Sequence, residues 1–496
     1  MRASERYLCL SRNSELSSGP VQGDAGMFTR EALLSIARAN PEALVDIILA
    51  LQEQVQALSK RVTELEDRFN KNSRNSSKPP SSEGRVTPKS LRKNTGRKPG
   101  GQPGHQGHTL MPVERPPYII PLPVTSCSCC ADLTHERAID HECRQVFELP
   151  QPKREVTEFQ AEIKVCPKCG LINRASFPPD VTAPVQYGHS VYCMAVYLNN
   201  QQLIPANRIQ QMMSDIWNCS LSEATVSKAA RRCYDTLAPF ESAVIGELRK
   251  ALALHVDESG MWVAGKLQWL HVACTDLLTF YGIHQNRGTE AMDNVGILPD
   301  FFGHLIHDFW KPYFRYECQH GLCNAHHLRE LLFLLEENNQ AWAGKMIDLL
   351  LTMNDFVKQQ NNTPLPRQQK RPWINKYKKI IAEGWNINPL SQEEGKRRTK
   401  KTKQQNLLLR LDAHQSQVLA FLHNPGVPFT NNLAERDIRM IKVRLKISGA
   451  FRTVEGAKHF APIRSYLSTA RKHGLNVLAS LTEAIKGRPF IPEASP

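Results

Sequence analysis

The chain has 496 residues, 41% of them hydrophobic, with a formal net charge of +15 and 13 cysteines. Its length exceeds one ordinary domain, no uncharged apolar run approaches the roughly 20 residues of a membrane span, and no signal peptide is visible at its start. A basic excess of this size favours polyanion partners, and scattered cysteines without a secretion signal read as metal ligands and buried thiols, not a disulfide framework.

Residues 1–26 read as a disordered leader, and a helical pattern opens at Met27. Over 27–70, Leu44, Leu51, Leu58 and Leu65 recur every seventh residue, with Ile48, Val55, Val62 and Phe69 at the alternate core positions. Leucine at one seam position and mostly β-branched residues at the other predict a parallel two-stranded coiled coil, hence self-association; an amphipathic helix packed on its own chain is the plainer alternative. Residues 71–110 are rich in Ser, Asn, Pro and Gly, with nine Lys or Arg against Glu83 alone. Such a stretch cannot bury a core and is expected to be a disordered basic linker, either a mere tether or a salt-sensitive phosphate contact.

Over 111–186, Cys127-Ser-Cys-Cys130 and Cys166-Pro-Lys-Cys169 form two C-x2-C knuckles. The thiolates of Cys127, Cys130, Cys166 and Cys169 have the spacing of a closed structural Zn²⁺ site, although Cys129 blurs the first knuckle. Residues 187–250 read as helices. The stretch around Ile204–Ile216, a turn at Asn218 and a second helix over Ser222–Arg232 predict a helix-turn-helix-like region, for which a plain helical hairpin is the alternative.

From 251 to 330 the pattern changes. Leu252–Asp257 is an apolar run ending in an acid, and two more strands follow with turns at Gly265 and Thr275-Asp276. A helix near Thr289–Val295 comes next, then a short apolar run ending in Asp308. Three strands, a helix and a strand, with Asp on the first and fourth strands, is the order of an RNase H-like α/β core. Residues 331–428 predict a helical insertion that turns strongly basic around Lys370-Arg371, Lys376–Lys379 and Lys396–Lys403, with Trp373, Tyr377 and Trp385 interleaved. It suits either a backbone-gripping surface or a solvated charge run.

Residues 429–475 complete the core, and 476–496 form a terminal helix and tail. A helix opening near Asn431 puts Ala434, Ile438, Ile441 and Leu445 on one face, and Glu435, Arg439, Lys442 and Lys446 on a second. An acid aligned with bases suits a helix that holds a metal while phosphate lies alongside; the plainer alternative is a solvated face with a Glu435–Arg439 pair. With Asp257 and Asp308, Glu435 makes an Asp–Asp–Glu set. Hard divalent cations take carboxylate oxygens, and two Mg²⁺ ions suit phosphoryl transfer by activating the attacking oxygen and stabilising the leaving one. Asp437 is the only nearby substitute for Glu435.

The chain also resembles transposases of the insertion-sequence 66 family from about residue 40 onward. The matching features are the leucine-rich helix, Asn72-Ser-Arg-Asn-Ser-Ser-Lys-Pro-Pro-Ser-Ser, Gly96-Arg-Lys-Pro-Gly-Gly-Gln-Pro-Gly-His and the two knuckles. In the core they are Val256-Asp-Glu258, His307-Asp-Phe-Trp-Lys-Pro-Tyr313, Leu322-Cys-Asn-Ala-His-His-Leu-Arg-Glu330 and Asn431-Asn-Leu-Ala-Glu-Arg436. The resemblance implies a DDE transposase in which Asp257, Asp308 and Glu435 bind the catalytic metals. It implies hydrolytic nicking at element ends, attack of the freed 3′-hydroxyl on target DNA, and small accessory proteins. Cys323-x2-His326 is similar to a pattern that follows the second acid in many cut-and-paste transposases. His326 contacting DNA or the scissile phosphate is the preferred reading there; a second metal site with Cys318, His320 and His327 nearby is the lesser alternative. Arg436, Arg439, Lys442 and Lys446 are candidate DNA contacts.

The expectation is therefore a bacterial DNA transposase, cytoplasmic or nucleoid-associated, with DNA as partner and no membrane. Two rivals remain: a non-catalytic sequence-specific DNA-binding protein, which Asp257→Ala would not affect, and an RNase H-like structure-selective nuclease, which cuts without joining.

Overall fold

The computed structural model describes residues 30–72, 75–76, 110–360, 363–390 and 401–493. The expected leader, nearly all of the basic linker and the basic stretch 391–400 lie outside the described residues. The chain divides into two units, one ending at Lys71 and one beginning at Asn72.

The first unit is two helices, α1 (Arg30–Ala39) and α2 (Pro41–Phe69). Asn40 ends the first and caps the second, its side chain accepting from the Ala43 amide at 3.3 Å, and Pro41 occupies the first helical turn, where a missing N–H costs nothing. Ile48, Leu51, Val55, Leu58, Val62, Leu65 and Phe69 are 48–90% exposed, so the heptad seam is not covered by its own unit.

In the second unit, the described residues 110–186 have little regular structure. There β1 (Ile163–Val165) and β2 (Ile172–Arg174) pair antiparallel, flanking the second knuckle, and a single antiparallel bridge joins Ser126 to Asp132 around the first. No described residue from 110 to 190 is buried. Helices follow: α3 (His189–Val196), continued by a π-helical turn over Tyr197–Gln201, then α4 (Ala206–Trp217), α5 (Glu223–Tyr234) and α6 (Ala238–Lys250). Asn218, left-handed at φ 48°, ends α4, and the Ser222 side chain caps α5, so the expected helix–turn–helix pair is present as a local geometry.

The sheet comprises β3 (Ala253–Val263), β4 (Lys266–Cys274), β5 (Thr279–His284), β6 (His304–His307) and β7 (Gln319–Leu322), with α7 (Thr289–Val295) between β5 and β6. Its order is β5-β4-β3-β6-β7; β3, β4 and β5 are antiparallel neighbours, and β6 and β7 run parallel to β3. The strand–strand–strand–helix–strand succession was legible in the sequence; β7 was not, because Gln319–Leu322 is too short and too polar to announce a strand.

The sheet is covered on both faces, and strand alternation assigns each residue to one of them. Leu254, Val256, Ala273 and Phe280 join a core with α3–α6 and two helices near the end of the chain, α15 (Val454–Lys472) and α16 (Val477–Ile485). Met261, Val263, Leu270, Val272, Cys274 and Tyr281 face the other side, against Ala434, Ile438 and Ile441 of α14 (Asn432–Ile447). The insertion has a core of its own, built by α8 (Asn324–Asn338), α9 (Ala341–Gln359), α10 (Arg367–Ile387), α11 (Lys403–Ala413) and the short α12 (Gln415–Val418) and α13 (Ala420–His423).

A buried ion pair ties α14 to the rest. Lys472 Nζ lies 2.6 Å from Asp437 Oδ2, both side chains being nearly inaccessible, and the Thr279 hydroxyl donates to the same oxygen at 3.0 Å. Asp437 is thereby engaged away from the acids named above. Removing one member of a buried pair leaves an uncompensated charge. Asp437→Ala should lower stability by about 3 kcal/mol in urea unfolding followed by tryptophan fluorescence, and adding Lys472→Met should recover part of that loss. An unchanged midpoint in Asp437→Ala would contradict a structural role for the pair.

Candidate active site

Parallel pairing of β3 with β6 runs Ala253 to His304, Leu254 to Leu305 and His255 to Ile306. Continuing that register by two residues sets Asp308 beside Asp257. The backbone turns sharply after Asp308: Phe309 is left-handed at φ 67°, and the Trp310 amide donates to Asp308 Oδ1 at 3.1 Å. Asp257 accepts from the Glu258 amide at 2.8 Å. Glu435 stands in the first turn of α14, half-buried.

Asn431 brings these segments together. It precedes α14 and is buried, yet its side chain does not cap the helix. Instead its Nδ2 donates to the Val256 carbonyl at 2.8 Å, and its Oδ1 meets His255 Nδ1 at 2.9 Å. Its backbone amide donates to the Cys323 sulfur at 3.1 Å. One side chain thus fixes the start of α14 against the strand that carries Asp257, and one amide fixes it against the end of β7.

The electrostatics follow from burial. Desolvation, with repulsion from Glu258, Asp308 and Glu435, pushes the Asp257 carboxyl up to about 8. Glu258 is buried beside it and also raised, chiefly by desolvation; it is held by Tyr313, whose hydroxyl donates at 2.6 Å, and by Arg287, whose Nε donates at 2.9 Å. The Arg287 guanidinium in turn lies over the Trp310 ring, 4.3 Å from its centroid. Sequence reasoning passed over this support, although an acid directly after Asp257 was its available signal.

Glu435 does not pair with Arg439: among the described residues its ion-pair neighbours are His326 Nδ1 at 3.7 Å and Arg329 Nη2 at 3.9 Å, both on α8. The Glu435 carboxylate is therefore oriented from outside its own helix. Burial holds the His326 imidazole below its ordinary pKa, against an opposing pull from Glu435. Arg436, Arg439, Lys442 and Lys446 are exposed on α14, as expected for side chains free to meet phosphate. An open cavity of about 190 Å³ next to the site is lined by Asp308, Phe309, Trp310, His326, Glu330 and Arg410.

Three other expectations fared differently. Each cysteine knuckle is a tight turn: the Cys130 amide bonds the Cys127 carbonyl, and the Gly170 amide bonds the Cys166 carbonyl, each at 2.9 Å. Among the described residues no three of the thiols of Cys127, Cys130, Cys166 and Cys169 lie within 4.8 Å of one another. The insertion's aromatics are packing residues, not an interleaved stripe. Tyr377 is buried with its hydroxyl on the Leu411 carbonyl, Trp373 stacks near Phe356, and Trp385 donates to Asp412. Lys376, Lys378 and Lys379 on the same helix are exposed. Of the histidines near Cys323, His320 is bonded to His307 and His327 to Asn324, leaving His326 as the one that faces the acids.

The donor set suits a hard divalent cation: three carboxylates, with Asp308 just past the end of β6, Glu435 on a helix and Asp257 within β3. That strand runs on to Val263 and does not end at the acid as its apolar run suggested. Glu435 Oε1 is buried and lacks a hydrogen-bond partner. Asp257, with its raised pKa, keeps a proton that the unfolded chain loses near pH 4, so stability falls as pH rises from about 4 to about 8 and then levels. A cation must displace that proton. The rise in melting temperature on adding Mg²⁺ should therefore be small at about pH 6, larger at about pH 8.5, and absent at both in Asp257→Asn. An equal Mg²⁺ shift in Asp257→Asn and the parent would exclude Asp257 from the cation site.

Comparison with known proteins extends these observations. A family model described as Family of unknown function (DUF6444) matches residues 30–111. A search of the curated proteins finds no match. The model described as Transposase IS66 family matches residues 184–459, more than half the chain and the span that contains α4, α5, the whole sheet, the insertion and α14. The chain belongs to the IS66 family of transposases.

Proposed function

We propose that the protein is a DDE-type DNA transposase that cleaves the ends of its insertion sequence and joins the freed 3′-hydroxyl to target DNA. Its catalytic unit is read as an RNase H-like core, a reading supported by the order β5-β4-β3-β6-β7 with β6 and β7 parallel to β3. The proposal is supported chiefly by geometry: the β3–β6 register brings Asp308 beside Asp257, and Asn431, four residues before Glu435, bonds the Val256 carbonyl.

Asp257, Asp308 and Glu435 are the residues to hold two Mg²⁺ ions, which when bound activate the attacking oxygen and stabilise the leaving oxygen of a phosphodiester. Asp257 gives up its proton on binding, and Asn431 keeps Glu435 in reach of it. In the first step water adds to phosphorus at the element end, and the 3′-oxygen leaves as a hydroxyl. In the second that hydroxyl attacks a target phosphodiester, one P–O bond forming for each one broken. Arg436, Arg439, Lys442 and Lys446, with His326 at the mouth of the site, are proposed to hold the DNA backbone.

The remaining modules fit around this chemistry. The exposed seam of α2 is proposed to take a second copy of itself as a parallel coiled coil, which would hold two element ends in one assembly. Residues 110–190 have no core, and a Zn²⁺ held by Cys127, Cys130, Cys166 and Cys169 would supply the staple that a coreless segment needs. The α4–α5 pair, with Ser227, Lys228 and Arg231 exposed, is proposed to read the ends. Element-encoded accessory proteins are further partners, and a cytoplasmic, nucleoid-associated location follows from the substrate. No helix among the described residues is long and apolar enough to cross a membrane.

The test uses DNA carrying the repeats that flank the reading frame, with Mg²⁺ and the full chain. Asp257→Asn, Asp308→Asn and Glu435→Gln should each lower both cleavage and strand transfer by about a thousandfold or more, because each removes several kcal/mol of charge stabilisation. Pre-cleaved ends should be joined by the parent and by none of the three. Cleavage without joining would favour a nuclease, and activity retained in Glu435→Gln but lost in Asp437→Asn would move the third acid.

A further inference from the structure

We propose that Cys323, His326 and Glu435 form a binding site for a thiophilic divalent cation of the Zn²⁺ class, separate in ligand chemistry from the all-carboxylate site. Cys323 Sγ, one ring nitrogen of His326 and one carboxylate oxygen of Glu435 lie within 4.8 Å of one another. His326 Nδ1 and Glu435 Oε1 are 3.7 Å apart, too far for a hydrogen bond, and both are buried without a hydrogen-bond partner. Two buried polar atoms facing each other unbonded are costly, and one cation between them would satisfy both. Ligand atoms around a tetrahedral Zn²⁺ are about 3.4–3.6 Å apart at ordinary bond lengths, so modest side-chain rotation closes the site.

The surroundings agree with that chemistry. Cys323 is buried just past the end of β7, where desolvation pushes its thiol up to about 11. It accepts the Asn431 amide at 3.1 Å, an N–H donor that partly opposes that rise and fixes the sulfur's direction; a cation there displaces the thiol proton. Cys323 and His326 are separated by two residues at the start of α8, which places both at one end of that helix. Arg329 approaches the other oxygen of Glu435 at 3.9 Å, which leaves Oε1 turned toward His326. Asp308 and Glu330 add negative charge around His326 that offsets Arg329. Thiolate and imidazole select Zn²⁺ over Mg²⁺, which prefers oxygen and holds its waters.

An ion held there takes Glu435 as one of its ligands, so the two sites compete for one carboxylate; this consequence alone rests on the catalytic reading above. The binding is tested without DNA. The full chain, loaded with Zn²⁺ and freed of excess by gel filtration, is assayed for bound metal by atomic emission. Loading with Co²⁺ instead reports thiolate and tetrahedral ligation by absorption. Cys323→Ser and His326→Ala should each bind one ion fewer per chain than the parent, with part of the thiolate–cobalt absorption lost in Cys323→Ser. His326→Ala, at a position less buried than Cys323, decides the matter if Cys323→Ser does not fold. Equal metal content in the parent and His326→Ala overturns the site, whatever the outcome of the cleavage assays.

Discussion

The arrangement of the catalytic unit depends on what the buried side chain of Asn431 does with its two polar ends. A residue before a helix ordinarily spends its side chain on that helix's own free amides. Here both ends are spent on β3, on the carbonyl of Val256 and the ring of His255, and the backbone amide is spent on Cys323. The start of α14 is thereby pinned to two segments distant in sequence. Without that pin the hydrophobic face of α14 would still pack on the sheet, since apolar contact is not directional. Nothing in such packing would fix the helix's position along its axis to better than a side chain's width. The hydrogen bonds supply the missing register, and they do so one residue from Asp257 and four from Glu435.

Charge is distributed to match. The acids sit inward, where desolvation raises Asp257 and Glu258, while Arg436, Arg439, Lys442 and Lys446 stay in water on the outer side of α14. One helix can therefore present an anion to a cation site and cations to a polyanion, because Glu435 sits half-buried in its first turn while Arg439, Lys442 and Lys446 follow on the same face, exposed, toward its far end. The basic excess seen in composition is thus partly local. Beneath it, Asp437 is withdrawn into a pair with Lys472, so two acids only two residues apart on α14 meet different partners.

Much of this could be read from residue patterns. The order of strands, the ends of the apolar runs at Asp257 and Asp308, and the inner face of α14 each follow from periodicity, and periodicity is a local property. What could not be read was non-local. The polar run at Gln319–Leu322 becomes β7 only because β6 offers it a partner edge. The neighbours of Glu435 come from α8, about a hundred residues earlier, whereas sequence proximity suggested Arg439. Tyr377 and Trp385 look like DNA-facing aromatics beside lysines but are packing residues of the insertion's own core, because alternation of charge and ring on a helix fits both. The cysteine spacing identified two knuckles, each a closed turn, but spacing says nothing about whether two turns meet.

The central claim is that Asp257, Asp308 and Glu435 serve one cation-holding centre. Fe²⁺ can be substituted for Mg²⁺ in the full chain and treated with ascorbate and peroxide, so that radicals cut the backbone next to bound iron. The account predicts fragments ending near all three acids, with Mg²⁺ in excess suppressing all of them together. Cuts that spare the segments around Asp257 and Asp308 would contradict it.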